Sequence, residues 1–496
     1  MTTTARKSGP FKDIDVIDLF GADAADVEDP GRLYAFFVEN DSYDEIREHH
    51  PVSLVIGQKG IGKTALMRVS SFDDSREGTP NLFLKGYQVL AATTAEMGGA
   101  STLTSFKSGI ESAIVAHVAG IIAKESSEAF GAPSSGGSLF ARLAEVGSAV
   151  LLAKSTSLKA ATEKLTPWLF SKVRTLNIYI DDTDVEWDGS AKAANKIAWL
   201  IQACFQICAE NNGDVRFKIS LRSDLFNYLK VTSDIIDKVQ SGVVQCRWSV
   251  DQVFRVLAKR IAVHDNAPIF DENAEQETLF QSHMTPYFES RFNGIGVWEN
   301  APMRQVLLSF VRQRPRDLVG LCHLAAKSAK KSDTKIDTAA LNAVFKKYSE
   351  QRFNDTVVEF RNEFPEIEKF LYEMRPEERK RKDQTRVDQP QKKRSYYTHA
   401  ELVAKIDRIK NNVNTGFSYL RRPASTAELI EFMFRINFLV ASRSDESGRV
   451  ERLYYDFADD RLRETRLGKW DWEVHMAYRW AIQHEPEDIW TEAAFA

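Results

Sequence analysis

Apolar positions along the chain fall into two kinds of run. Short continuous runs occur in VSLVIG at 52–57, the centre of TLNIYIDDTD at 175–184, VRFKISLR at 215–222 and VVQCRW at 243–248. Runs of this length and character are those of strands buried on both faces. Longer segments repeat their apolar residues at helical spacing: TALMRVS from residue 64, KAANKIAWLIQACFQICAE and SVDQVFRVLAKRIAV. Strand and helix alternate over roughly 210 residues, which predicts a parallel α/β sheet covered on both faces.

The flanking regions read differently. Residues 1–48 form an N-terminal packing segment, in which Leu33, Phe36, Phe37, Tyr43 and Ile46 are expected to cover one side of the following core at 49–265. Within that core, about 99–172 shifts to Ala, Ser and Gly around GAPSSGG, with helical spacing on either side. This stretch is expected to be a helical insertion. Beyond 265 the strand signals fade, and 266–350 predicts a helical lid. A helical and basic linker follows at 351–400, whose 375–394 stretch carries nine basic and four acidic side chains. The terminal domain, 401–496, has helices and then FLVASRSDESGRVERLYYDF at 438–457, two strands around a polar turn.

The richest chemistry lies in LVIGQKGIGKTALM, residues 54–67. Gly57, Gly60, Ile61, Gly62, Lys63, Thr64 and Ala65 sit between a strand and a helix with phosphate-loop spacing. Glycines let consecutive N–H groups face phosphate oxygens, the lysine reaches the outer phosphates, and the threonine hydroxyl can ligate magnesium. The helix beneath adds its N-terminal dipole.

Asp181 and Asp182 end the apolar run IYIDD. Downstream of a phosphate loop, Asp181 is the candidate magnesium acid opposite Thr64, and Asp182 the candidate that orients the attacking water. Two aspartates ending a strand are otherwise ordinary turn residues. Arg222 closes the next strand, at the edge where a guanidinium can pair with phosphate or the magnesium-bound acid. A salt bridge to Asp224 or Asp182 is its plainer reading. Arg314 and Arg316, in RQRPRD, are candidates for a lid that feels the γ-phosphate, against a solvated basic cluster.

Composition mainly excludes. The 496 residues carry a formal net charge of -4, so the molecule is not a polycation built to coat nucleic acid, although a local basic surface stays open. Four cysteines without knuckle spacing predict buried thiols rather than a disulfide framework or zinc site. No apolar run approaches the ~18 residues of a membrane helix, so cytoplasm is the expected location.

Together these residues resemble the additional-strand P-loop ATPases, the AAA+ proteins and their STAND-type relatives. More narrowly, the sequence is similar to bacterial P-loop ATPases that include proteins of phage-defence loci. The segments that carry the likeness are FVENDSYDEI, IGQKGIGKTAL, IYIDDTD, ISLRSDLF, CRWSVDQVFRVLAKR, RPRDLVGLCHLAAKSA and LYYDF…WEVHMAYRWA. The resemblance implies an additional-strand P-loop NTPase sheet with a helical lid and a C-terminal winged-helix-like domain. ATP and Mg2+ are the implied ligands, with Arg222 in a sensor-like position and 314–317, including Arg316, as the lid's second sensor. An AAA+ motor has glutamate after the first aspartate; Asp181-Asp182 instead implies a slow, nucleotide-controlled switch. The implied partners are a second copy of the chain or an effector protein. DNA is the alternative partner, with Arg435, Arg443, Arg449 and Arg452 near the wing as candidate phosphate contacts. Asp445, Glu446, Glu451, Asp456, Asp459 and Asp460 in the same region oppose that reading. A third alternative is a nucleotide-stabilised scaffold with little turnover.

Overall fold

The computed structural model describes residues 9–22, 24–95, 103–128, 175–376, 395–444, 450–455 and 464–483. The chain divides into two compact units: Asp41–Gln58 with Lys63–Cys246, and Met1–Asn40 with Lys59–Gly62 and Arg247–Ala496.

The first unit is built on five parallel strands: β1 (Val52–Gly57), β2 (Asn81–Lys85), β3 (Leu176–Asp181), β4 (Val215–Arg222) and β5 (Val243–Gln245). Their order is β2-β3-β4-β1-β5. Every position of β1 and β3 is buried, which is why their sequences read as unbroken apolar runs. Residues such as Leu54, Val55, Ile178 and Ile180 are at most barely exposed, and each contributes about 1.5–3 kcal/mol of burial. The strand β4 lies between the loop-bearing β1 and the aspartate-bearing β3, the arrangement that defines an additional-strand sheet. Helices Lys63–Arg76, Gly86–Ala95, Leu103–Glu128, Ala191–Glu210 and Ser223–Thr232 belong to the same unit. β2 is an element that the hydrophobic pattern does not predict.

Register fixes which residues meet at the C-terminal edge of the sheet. Gly57 pairs with Arg222 across β1 and β4, and Lys85 pairs with Asp181 across β2 and β3. Ile180 pairs with Ile219 across β3 and β4, so Gly57 and Arg222 lie two residues beyond the level of Asp181 and Lys85.

The second unit is mainly helical. Val250–His264 starts with a capping box in which Ser249 and Gln252 satisfy each other's backbone N–H. It packs with Val16–Phe20, Pro30–Phe36 and Pro315–Ser332. The lid region has only two two-residue strands, β6 (Arg291–Phe292) and β7 (Ala301–Pro302), between its helices. The long helix Thr338–Phe360 packs against Met476–Ile482. There Phe310 and Phe345 stack at 4.1 Å, with Trp480 5.2 Å from both.

The terminal part has helices His399–Lys410 and Thr426–Arg435 and a four-stranded antiparallel sheet. Its strands are β8 (Tyr396–Tyr397), β9 (Leu439–Ser444), β10 (Val450–Leu453) and β11 (Asp471–Val474), in the order β10-β9-β11-β8. The β9–β10 hairpin is the expected pair of strands, and the whole has winged-helix-like form. The remainder of the predicted insertion at 129–172 and the basic stretch at 377–394 lie outside the described residues.

The four cysteines are buried free thiols, as their spacing predicts. Among the described residues no helix is long and apolar enough to cross a membrane.

Candidate functional site

Gly57 ends β1 and Lys63 begins the helix Lys63–Arg76, so the five-residue turn between strand and helix is the phosphate loop of the sequence. Gly60 and Gly62 have φ of +82° and +107°, backbone that a side chain would strain. Gly60 is also tightly approached: a Cβ there would lie 3.0 Å from Arg316 Cδ. The Lys63 ammonium donates to the carbonyl oxygens of Gly57 at 2.8 Å and Gln58 at 3.3 Å. Thr64 and Ala65 occupy the first helical turn.

Asp181 is 1% exposed at the end of β3. Its Oδ1 accepts from Ser220 Oγ at 2.6 Å. Its Oδ2 is buried and accepts no hydrogen bond, with Lys85 Nζ at 3.8 Å. A buried carboxylate oxygen kept without a donor suits a divalent cation.

Asp182 follows at φ 57°, left-handed backbone. Its N–H donates to Ser220 Oγ at 3.2 Å and its Oδ2 accepts from Lys85 Nζ at 2.6 Å. Lys85 comes so close because the next residue lacks a side chain. A Cβ on Gly86 would meet the Thr183 backbone at 2.6 Å.

Arg222 pairs with Asp224, Nε and Nη2 each at 3.0 Å, and stands 3.7 Å from Asp184. These contacts are those of its plainer reading. Asp224 also accepts from Trp187 Nε1 at 2.8 Å, so the arginine is anchored from below.

In the other unit, side chains from three segments of the chain, one of them the lid, meet the loop tip. Glu359 Oε1 accepts from the Lys59 N–H at 2.5 Å, and Arg314 Nη1 donates to the Lys59 carbonyl at 3.0 Å. Trp248 Nε1 donates to the Ile61 carbonyl at 2.5 Å. Arg314 is 2% exposed, so the alternative of a solvated cluster does not hold for it.

Behind Arg314 lies a buried polar cluster. Arg312 makes two bonds to Asp317, at 2.7 and 2.9 Å, and donates to Thr356 and Tyr478. Burial alone would raise the Asp317 carboxyl, but the charges of Arg312 and Arg352 outweigh it and hold Asp317 well below the usual carboxylate range.

Lys85, Ser220, Trp248 and Glu359 are the residues that sequence reasoning misses. Each meets the loop or the aspartates only through the fold.

The wing arginines are largely committed elsewhere. Arg435 is buried and bonded to Glu363, a correction to its expected phosphate contact: a guanidinium 8% exposed cannot reach a duplex. Arg443 pairs with Glu451 at 2.6 Å and Arg452 with Glu473 at 2.5 Å. Arg449, Asp445, Glu446, Asp456, Asp459 and Asp460 lie outside the described residues.

Two family models match parts of the chain. Residues 19–81, which include β1, the loop and its helix, match a family described as ORC-CDC6-like. Residues 252–357, mostly lid helices, match one described as FunZ-associated C-terminal helical domain. No curated protein sequence matches the chain. Among solved structures, the Aeropyrum pernix ORC2 protein in its ADPNP–ADP complexes is similar at 11% identity and a TM-score of 0.34, over 84% of this chain and 86% of that one. Cdc6p from Pyrobaculum aerophilum is similar at 11% identity and a TM-score of 0.31, over 92% of this chain and 96% of that one. The Aeropyrum pernix ORC1 protein in complex with DNA is similar at 12% identity and a TM-score of 0.29, over 85% of this chain and 91% of that one. Strand order and loop position carry the classification rather than these scores. The fold is that of an additional-strand P-loop NTPase sheet, accompanied by a helical lid and a winged-helix-like terminal domain.

Proposed function

We propose that the protein is a magnesium-dependent ATPase that loads or remodels a protein complex on DNA. The observation that carries the ATPase is the buried Oδ2 of Asp181, which accepts no hydrogen bond. On this reading the backbone N–H groups from Gly60 to Ala65 and the Lys63 ammonium hold the phosphates of ATP, and Thr64 and Asp181 hold the ion. When bound, magnesium supplies positive charge against the phosphate oxygens. Asp182 orients the attacking water and takes up its proton. Arg222, held by Asp224, presents a fixed positive charge at the sheet edge. Arg316, packed against Gly60, senses the loop from the lid side. The DNA part rests on the ORC-CDC6-like match across the loop segment and on the winged-helix-like terminal domain.

A second reading is a slow, nucleotide-controlled switch that works through a second copy of the chain or an effector protein, as in a phage-defence complex. The pairing of Asp182 with Lys85 favours it, because a carboxylate committed to an ammonium is a weaker acceptor for water. The ORC-CDC6-like match favours the DNA reading.

Steady-state ATP hydrolysis by wild type and D182A, with and without duplex DNA across a salt series, separates the two. A rate that DNA raises several-fold, that salt weakens and that D182A abolishes supports the DNA-acting ATPase. A low rate that depends on Asp182 and ignores DNA supports the switch. Nucleotide binding without hydrolysis overturns both and leaves a scaffold.

A further inference from the structure

The peptide of Lys59, at the tip of the phosphate loop, is gripped on both sides by one ion pair. Glu359 Oε1 accepts its N–H at 2.5 Å, and Arg314 Nη1 donates to its carbonyl at 3.0 Å. The same Arg314 nitrogen donates to Glu359 Oε2 at 3.1 Å. Both side chains are 2% exposed, whereas Lys59 itself is exposed. A buried, charge-assisted clamp that engages both the N–H and the carbonyl of one residue fixes its orientation as well as satisfying its polar groups.

The clamp is itself braced. Glu359 lies in the last turn of Thr338–Phe360, and Thr356, three residues earlier, faces the same side. Thr356 Oγ1 is 2.9 Å from Tyr478 Oη and accepts from Arg312 at 2.7 Å. Arg312 precedes Arg314 by two residues and is locked by Asp317, which Arg352 also contacts at 2.7 Å. Both arms of the clamp are therefore anchored in one buried network.

We propose that Glu359 and Arg314 are positioning residues, which hold the Lys59 peptide so that the following N–H groups of the loop are aligned for phosphate before nucleotide arrives. This rests on the reading of the loop as an ATP site. Arg314 is thereby given to the loop backbone, and contact with phosphate is left to its neighbour Arg316.

The test compares wild type with R314M/E359L and with E359Q in the full chain. The double variant removes both charges of the pair together rather than leaving either one buried without the other, and the fold is expected to survive. Without nucleotide, amide exchange in peptides covering residues 57–62 is expected to accelerate about tenfold in the double variant, with melting temperature little changed. Its KM for ATP is expected to rise about tenfold while kcat stays within about twofold. E359Q keeps an acceptor for the Lys59 N–H and is expected to recover part of the exchange protection and of the KM. Unchanged exchange and unchanged KM in the double variant overturn the proposal. If wild type proves not to hydrolyse ATP, the functional reading fails, and the exchange comparison still decides whether the clamp orders the loop.

Discussion

The Nζ of Lys85 lies 2.6 Å from Oδ2 of Asp182, so the candidate water-orienting carboxylate carries its own counter-charge. The ammonium stabilises the ionised acid and also competes with water for it. Replacing Lys85 by methionine is expected to raise basal kcat by roughly a few-fold, whereas D182A lowers it about 100-fold, the lower range of general-base contributions. Single-turnover hydrolysis measures both. A rate loss in K85M would assign the lysine to phosphate rather than to the acid.

The backbone at Asp182 makes a separate prediction. At φ 57° an alanine costs about 1 kcal/mol more than glycine. D182G is therefore expected to unfold at higher denaturant than D182A, although both have lost the carboxylate. Urea melts of the pair read the difference directly.

Ser220 fixes Asp181 through its hydroxyl at 2.6 Å. Alanine at this position frees the carboxylate to rotate. The expected result is about tenfold weaker magnesium affinity, read as a correspondingly higher magnesium concentration for half-maximal hydrolysis, the usual scale for loss of a group that orients a metal ligand. A magnesium titration at saturating ATP checks it.

Buried polarity inside the sheet predicts a pH effect. Lys218 Nζ donates to Tyr179 Oη at 3.0 Å, and Tyr179 donates to Asp74 at 2.6 Å. Burial lowers the Lys218 ammonium from 10.5 to about 8, despite the opposing pull of Asp74. Between about pH 8 and 10.5 the unfolded chain then binds more protons at this site than the folded chain. Stability from this group therefore rises with pH across that window, by about 3 kcal/mol at most. Wild type should gain on K218M between pH 7.5 and 9.5 in denaturant unfolding, and an equal response in both would sink the assignment.

Arg435 separates structure from DNA contact. R435Q leaves Glu363 buried without its cation, at an expected cost of about 3–5 kcal/mol. The folded fraction should bind duplex DNA as wild type does. Anisotropy with labelled duplex, alongside urea unfolding, tests the two halves of that statement.

What the sequence reveals and conceals follows burial. β1 and β3 are legible because all their positions are buried, and the phosphate loop because its spacing is local. β2 escapes notice since NLFLK buries only Leu82 and Leu84, two apolar positions in a five-residue strand beside a turn. β8 and β11, two and four residues long, are too short for any period to register. Lys85 and Glu359 are silent for another reason. Their partners stand 97 and 300 positions away, and no local pattern encodes such meetings. Arg435 shows the converse error: a charge near a wing reads as a DNA contact until its burial is known.

The tip of the phosphate loop, Lys59–Gly62, groups with residues 247–496 and not with the sheet from which it springs. The motif is contiguous in the gene but not in what supports it. A fragment cut at 41–246 would retain every strand of the parallel sheet and the complete GQKGIGKT signature. It would lack Trp248, Arg314, Arg316 and Glu359. Such a minimal domain would score as a nucleotide-binding module by any motif search and still be a poor surrogate for the enzyme, so truncation analysis of this protein would misreport its affinity.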